Sequence, residues 1–332
     1  MKAVLCKEYG PPESLVIEEV PSPKPGKGQV VIAVKAAGVN FPDVLIIQNK
    51  YQFRPPLPFS PGGEVAGIIK EVGEGVTQVK PGDRVIGSVG WGGFAQEVAC
   101  DQARLIPIPD ALDLVSASAF MLTYGTSHYA LKNRAQLKAG ETLLVLGAAG
   151  GVGLAAVELG VLMGARVIAA ASSQDKVDLC ISRGAAGGIV YPEGPLDRDA
   201  QRKLSDDFKN VMGGEGANVI YDAVGGTYAE PALRAIAWEG RYLVIGFPAG
   251  IPSIPLNLTL LKGCQIIGVF WGAFTARDPK GNQENIAELM GFAQSGRLKP
   301  YVSKTYPMAK VAEALNEMAA RKVKGKIALT MD

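Results

Sequence analysis

Residues 144–160, LVLGAAGGVGLAAVELG, pass from an apolar strand pattern through a stretch with almost no side chain into a helix pattern. A backbone that must come within hydrogen-bonding distance of a pyrophosphate needs such a stretch, because side chains would block the approach. The spacing puts Ala148, Gly150 and Gly153 at the three small positions of a dinucleotide fingerprint, with Gly151 and Val152 between them. Ala148 stands where the strict G-x-G-x-x-G has its first glycine. A helix from Val152 onward then aims its N-terminal amides at the phosphates.

The next apolar run discriminates between the two nicotinamide dinucleotides. An NAD site places Asp or Glu at its end for the ribose 2′-hydroxyl. This chain reads VIAAASSQDK over 167–176 instead. Ser172 and Ser173 can donate to a 2′-phosphate, Lys176 supplies charge, and Arg321, in AARKVKGK, is a second cation. The expected cofactor is therefore NADPH.

Those residues need a scaffold. Apolar runs TLLVLGA, RVIAAA, GIVY, NVIYDAVG, RYLVIGF and CQIIGVF alternate with helix-length segments such as QDKVDLCISRG and YAEPALRAIA. Six such runs with helical crossovers predict an α/β fold, a doubly wound parallel sheet covered on both faces. Upstream, SLVIEEV, GQVVIAVKAAGV, EVAGIIKEVG, DRVIGSV and FAQEVAC are short strands punctuated by Gly and Pro, which predicts a compact β unit. The tail, from NQENIAELM to the end, adds two amphipathic helices and a final strand, and is expected to pack on that first unit. A length of 332 residues suggests two domains.

Composition narrows the function classes. With 34 Lys and Arg against 32 Asp and Glu, a net charge of +2 spread along the chain draws neither nucleic acid nor an anionic membrane. Cys6, Cys100, Cys180 and Cys264 have no paired spacing, so neither a disulfide framework nor a zinc knuckle follows. The apolar stretch from Thr142 to Ala171 carries Glu158, Arg166 and several glycines, which suits a buried strand–turn–helix unit better than a bilayer span. The start, MKAVLCKEYG, lacks the apolar segment of a signal peptide, and a cytoplasmic protein is expected. The single histidine, His128 in TSHYALKN, is expected to be a helix residue without a catalytic role.

Five stretches carry a family likeness: AAGVNFPDVLIIQNKY (36–51), PGGEVAGIIKEVGEGV (61–76), KPGDRVIG (80–87), AAGGVG (148–153) and RKVKGKIAL (321–329). Together they resemble the medium-chain dehydrogenase/reductase superfamily, and within it the zinc-free quinone oxidoreductases related to zeta-crystallin. The resemblance implies a GroES-like β-barrel catalytic domain over 1–119 and 276–332, a six-stranded Rossmann NADPH-binding domain over 120–275, and an active site in the cleft. Asn40 stands where zinc alcohol dehydrogenases have a ligand Cys, and Gly63 where they have a ligand His, so no metal is expected.

By the same resemblance, Asn40, Tyr51 and Thr123 line the reacting end with Asp43 close by. Asn40 would donate to the oxygen that gains charge, and water or Tyr51 would supply the proton. Tyr191 would lie against the adenosine, Gly246 and Phe247 would follow the fifth strand of the sheet, and Phe270 and Trp271 would sit by the nicotinamide. The segment VFWGAFTARDPKGN would shape the substrate pocket, where Arg277 and Lys280 could attract an anionic acceptor. The implied activity is NADPH-dependent reduction of quinones or related enones. A 2-enoyl or acryloyl thioester reductase is the rival enzyme, and a crystallin-like or RNA-binding NADPH protein the non-catalytic one. A homodimer through the sheet edge at CQIIGVF is expected.

Overall fold

In this computed structural model, which describes residues 1–331, the chain divides into two compact units. One comprises Met1–Leu122 and the chain from Leu289 onward; the other is Thr123–Glu288. The first begins with β1 (Lys2–Leu5), β2 (Val16–Glu19), β3 (Gln29–Val39), α1 (Phe41–Ile46) and β4 (Glu64–Val72). It continues with β5 (Arg84–Ser88), β6 (Glu97–Asp101), β7 (Leu105–Pro107) and α2 (Leu114–Ala117). The second holds α3 (Thr126–His128), β8 (Thr142–Leu146), α4 (Gly151–Leu162), β9 (Arg166–Ala171), α5 (Gln174–Ser182), β10 (Gly187–Val190) and α6 (Arg198–Val211). Then follow β11 (Ala217–Asp222), α7 (Ala229–Arg234), β12 (Ile236–Val244), α8 (Asn257–Lys262), β13 (Gln265–Gly268) and α9 (Trp271–Arg277). Helix α10 (Pro279–Gln294) contains the boundary, after which β14 (Val302–Pro307), α11 (Val311–Ala319) and β15 (Lys326–Thr330) complete the first unit.

The second unit holds six parallel strands, as the alternating pattern predicts, in the order β10-β9-β8-β11-β12-β13. Central β8 is apolar because it is covered on both faces: Leu143 through Leu146 are fully buried. The chain leaves β8 toward β9 on one side and returns to β11 on the other, so the carboxyl ends of β8 and β11 flank the crevice where such sheets bind ligands. Helix α4 is apolar on every side except at Glu158, which accepts from Arg183, and every residue from Gly153 to Gly160 is buried.

In the first unit β14-β15-β3-β4-β5-β7 form one sheet, with β6 also paired to β3. Ile327–Thr330 of β15 pair antiparallel with Ala36–Val39 of β3, which brings the tail onto the first unit. Its core gathers Ile32, Val65, Phe94, Leu315 and Leu329. The segment expected as one helix around His128 is helical, but wide turns at Met121–Gly125 and Tyr129–Arg134 flank the short α3.

Candidate functional site

The small-residue bend connects β8 to α4. Gly147 turns the chain with φ 68°, and Gly150 caps α4 with no side-chain hydrogen bond. The first-turn amides of the helix have no intrahelical acceptors, which leaves them to a ligand or solvent. Helix and bend are in backbone contact: a Cβ on Gly153 would lie 2.1 Å from the Gly147 carbonyl oxygen. Gly153→Ala is therefore expected to push α4 off the bend and to destabilise the fold by roughly 1–3 kcal/mol. Thermal denaturation checks this; an unchanged melting temperature would show that the helix can shift without cost.

At the end of β9, Lys176 Nζ donates to Ser172 Oγ over 2.9 Å, so two of the expected phosphate contacts already touch. Ser173 precedes α5 and its hydroxyl donates to the Asp175 carboxylate. Arg321 belongs to the first unit, where it follows α11 in a left-handed backbone conformation. Tyr191 follows β10 as a buried core residue tilted against Tyr228, ring centroids 4.9 Å apart.

Gly246 and Phe247 follow β12, and Phe270 precedes α9. Both phenylalanines are about half exposed, at 44% and 52%, and share a cavity of about 560 Å³ with Tyr129, Arg134, Phe274 and Arg277. Tyr129 stacks on Phe274 at 4.2 Å, and Arg134 Nε donates to the Gly268 carbonyl. Trp271 packs over Gly125, where a Cβ would come within 2.6 Å of its indole. Thr123 is buried within the first wide turn.

Sequence reasoning missed Asp222. At the end of β11 its carboxylate accepts from the Val224 and Gly225 amides at 2.8 and 2.9 Å and from the Tyr242 hydroxyl at 2.5 Å. Its signal was weak, a lone acid ending an apolar run. His128 is fully buried with Nε2 3.4 Å from Glu288, and burial lowers its pKa against the pull of that carboxylate.

In the first unit four buried polar side chains meet: Asn40, Asp43, Glu64 and Lys326. Asn40 precedes α1, and the Asp43 carboxylate reaches back to its backbone N–H at 2.8 Å, one half of a capping box. The other Asp43 oxygen accepts from Gly62 N–H, whose residue adopts φ 92°. Asn40 Oδ1 accepts from Lys326 Nζ, and Nδ2 donates to the Gly38 carbonyl. The amide expected to face an acceptor oxygen is thus engaged at both ends within the unit, held by a lysine that the sequence reading did not single out. Glu64 Oε1 accepts from Leu122 N–H, while Oε2 is buried without a hydrogen-bond partner.

Burial pushes Asp43 up to about 6 and Glu64 up to about 7, against the pull of Lys326 and of backbone amides. Lys326 is brought down to about 8 by burial, opposed by the two carboxyls. Tyr51 is half-buried with its ring edge-on to Phe53 at 5.7 Å, and burial together with the Asp43 charge raises its phenol pKa. Among the described residues no group of three or more His, Cys, Asp or Glu is placed to hold a metal ion. No helix among them is long and apolar enough to cross a membrane.

Two family profiles match the chain: an alcohol dehydrogenase GroES-like domain over residues 26–110 and a zinc-binding dehydrogenase over 151–294. A "Quinone oxidoreductase-like protein 2 homolog" of Nematostella vectensis is 40% identical over 333 residues, covering 99% of this chain and 88% of the relative. Among solved structures, a mycobacterial protein complexed with NADPH superposes with a TM-score of 0.90 at 30% identity, over 99% of each chain. Quinone oxidoreductase of Escherichia coli, also complexed with NADPH, does so with a TM-score of 0.88 at 26% identity, over 99% of this chain and all of that one.

Proposed function

The chain belongs to the quinone oxidoreductase family of the medium-chain dehydrogenase/reductase superfamily, and from that premise we propose that it is an NADPH-dependent reductase of quinones or related α,β-unsaturated carbonyls, working without zinc. The observation that carries the reading is the bend at Gly147–Gly153: small residues on which the helix packs so closely that a Cβ at Gly153 would meet the Gly147 carbonyl, opening a twelve-residue helix and followed one strand later by Ser172 and Lys176 instead of an acid. NADPH complexes of two structural neighbours support it. Bound there, NADPH supplies a hydride from its nicotinamide.

The protein's part is to bind, orient and protonate. The α4 amides take the pyrophosphate, and Ser172, Ser173 and Lys176 take the 2′-phosphate with Arg321 as a further cation. Tyr191, Gly246, Phe247, Phe270 and Trp271 are assigned to the rest of the dinucleotide. Asn40, Asp43, Tyr51 and Thr123 are assigned to the reacting end. Tyr51, whose phenol is held above its ordinary pKa, keeps its proton at neutral pH and can give it to an enolate or hydroquinone anion.

Calorimetry with NADPH, followed by a screen of quinones, enals and enoyl thioesters, tests the proposal. Absence of NADPH uptake, or turnover that requires stoichiometric zinc, would overturn it. The thioester reading retains one supporting observation, the two guanidinium groups of Arg134 and Arg277 lining one cavity, which suit an anionic acceptor. Comparing kcat/KM for a small quinone and a short enoyl-CoA separates the two.

The same proposal covers assembly and location. Leu256 just before α8 and Leu260 and Leu261 on it are 70%, 81% and 64% exposed, next in the chain to edge strand β13, and Trp238 is 68% exposed. An uncovered apolar edge of this kind suits a homodimer. Leu260→Asp combined with Leu261→Asp is expected to yield monomers in sedimentation velocity; an unchanged mass would place the interface elsewhere. The four free cysteines suit the cytoplasm.

A further inference from the structure

We propose that Lys326 is a positioning residue for the reaction: its ammonium selects one flip of the Asn40 amide, and Glu64 competes for that amide's N–H. The inference rests on the oxidoreductase reading above and assigns a role to residues which that reading leaves out.

Lys326 is the first residue of β15, 3% exposed, followed by the fully buried Ile327, Ala328 and Leu329. A buried lysine is costly unless it is paired. Strand pairing sets Ile327 opposite Val39, which brings Lys326 to the end of β3 beside Asn40. Its Nζ donates to the Val39 carbonyl and to Asn40 Oδ1, each over 2.5 Å. An ammonium has donors only, and an amide has one accepting end. The opposite flip would set donors face to face, so Lys326 admits a single orientation. Asn40 Nδ2 then faces acceptors: the Gly38 carbonyl at 3.3 Å and the Glu64 carboxyl, which the amide helps to hold down.

The charged groups facing this ammonium are Asp43 on α1 and Glu64 on β4. Asp43 accepts from the backbone amides of Asn40 and Gly62 and is drawn down by that of Gly63. Glu64 is drawn down by the amides of Met121 and Leu122, and its Oε2 stays unpartnered. With one cation for two buried carboxyls, Glu64 is the better-placed proton holder. As pH rises through about 7 it ionises. The new carboxylate draws both Lys326 and the second Asn40 N–H toward itself, away from an acceptor oxygen. Turnover therefore falls on the alkaline side.

The test measures kcat, acceptor KM and NADPH affinity from about pH 5.5 to 9 for the wild type, Lys326→Met, Lys326→Arg, Glu64→Gln and the last two combined. Lys326→Met is expected to lower kcat about tenfold or more with NADPH affinity within about twofold, and Lys326→Arg to recover part of the loss. Because Lys326 itself loses its proton at about pH 8, the Glu64 limb is read with Lys326→Arg, whose cation does not titrate: that variant is expected to keep the alkaline limb, and Lys326→Arg combined with Glu64→Gln to lose it. Where Lys326→Met does not fold, these two variants decide. An alkaline limb that persists in the combined variant, or a folded Lys326→Met with unchanged kcat, would overturn the proposal. Should no acceptor be reduced, the oxidoreductase reading fails separately. The Asn40 side-chain NH2 resonances then decide: they should titrate near pH 7 in the wild type and not in Glu64→Gln, and resonances indifferent to both pH and Glu64→Gln would sink the assignment.

Discussion

Ser173→Asp is expected to bring NADPH and NADH turnover toward each other, with the NADPH:NADH ratio of kcat/KM falling by about a hundredfold or more. Charge-assisted contacts to a 2′-phosphate contribute about 1.5–3 kcal/mol each, and two of them set a preference of roughly two to four decades. A carboxylate at Ser173 repels the phosphate and accepts from a ribose 2′-hydroxyl, so both terms of the ratio move. Asp175, already bonded to the Ser173 hydroxyl, shows that the turn has room for one carboxylate. Lys176, whose ammonium donates to Ser172, is the cation assigned to the phosphate there. A second carboxylate at the α5 cap leaves the lysine outnumbered. Steady-state kinetics with both dinucleotides measures the effect, and an unchanged ratio would remove this turn from phosphate recognition.

Where the physics is local, the sequence is readable. The bend from Gly147 to Gly153 announces itself because strand, turn and helix follow within twenty residues and each obeys its own periodicity. That six strands run parallel with helices on both faces follows from the alternation of apolar runs with helix-length crossovers, whereas their order is visible only in the fold. Strand β14 escaped notice because VSKTYP is exposed along most of its length and gains its place by pairing with β15. The buried polar cluster was hidden for a related reason. Asn40 and Lys326 are 286 residues apart, and only the β3–β15 register makes them neighbours. The one clue was a lysine heading an apolar strand, a pattern that ordinarily reads as a solvated strand end. The Ser173 hydroxyl, bonded to Asp175, could not be distinguished from a free one by residue type alone.

Asn40→Ala is expected to lower kcat by roughly ten to a thousandfold while NADPH affinity stays near wild type, since the residues assigned to the phosphates other than Arg321 lie in the second unit. The truncation removes the N–H groups assigned to the acceptor oxygen and also the Oδ1 that receives Lys326. The ammonium is then left with the Val39 carbonyl and the two carboxyls, at a cost in stability of about 1–3 kcal/mol. Helix α1 keeps its start, because Asp43 is bonded to the Asn40 backbone and not to its side chain. The two losses read out separately: kcat follows the donor, and the melting temperature follows the stranded ammonium. If Asn40→Ala turns over acceptors as fast as the wild type, donation is not what Asn40 contributes, and its value lies wholly in holding the buried lysine.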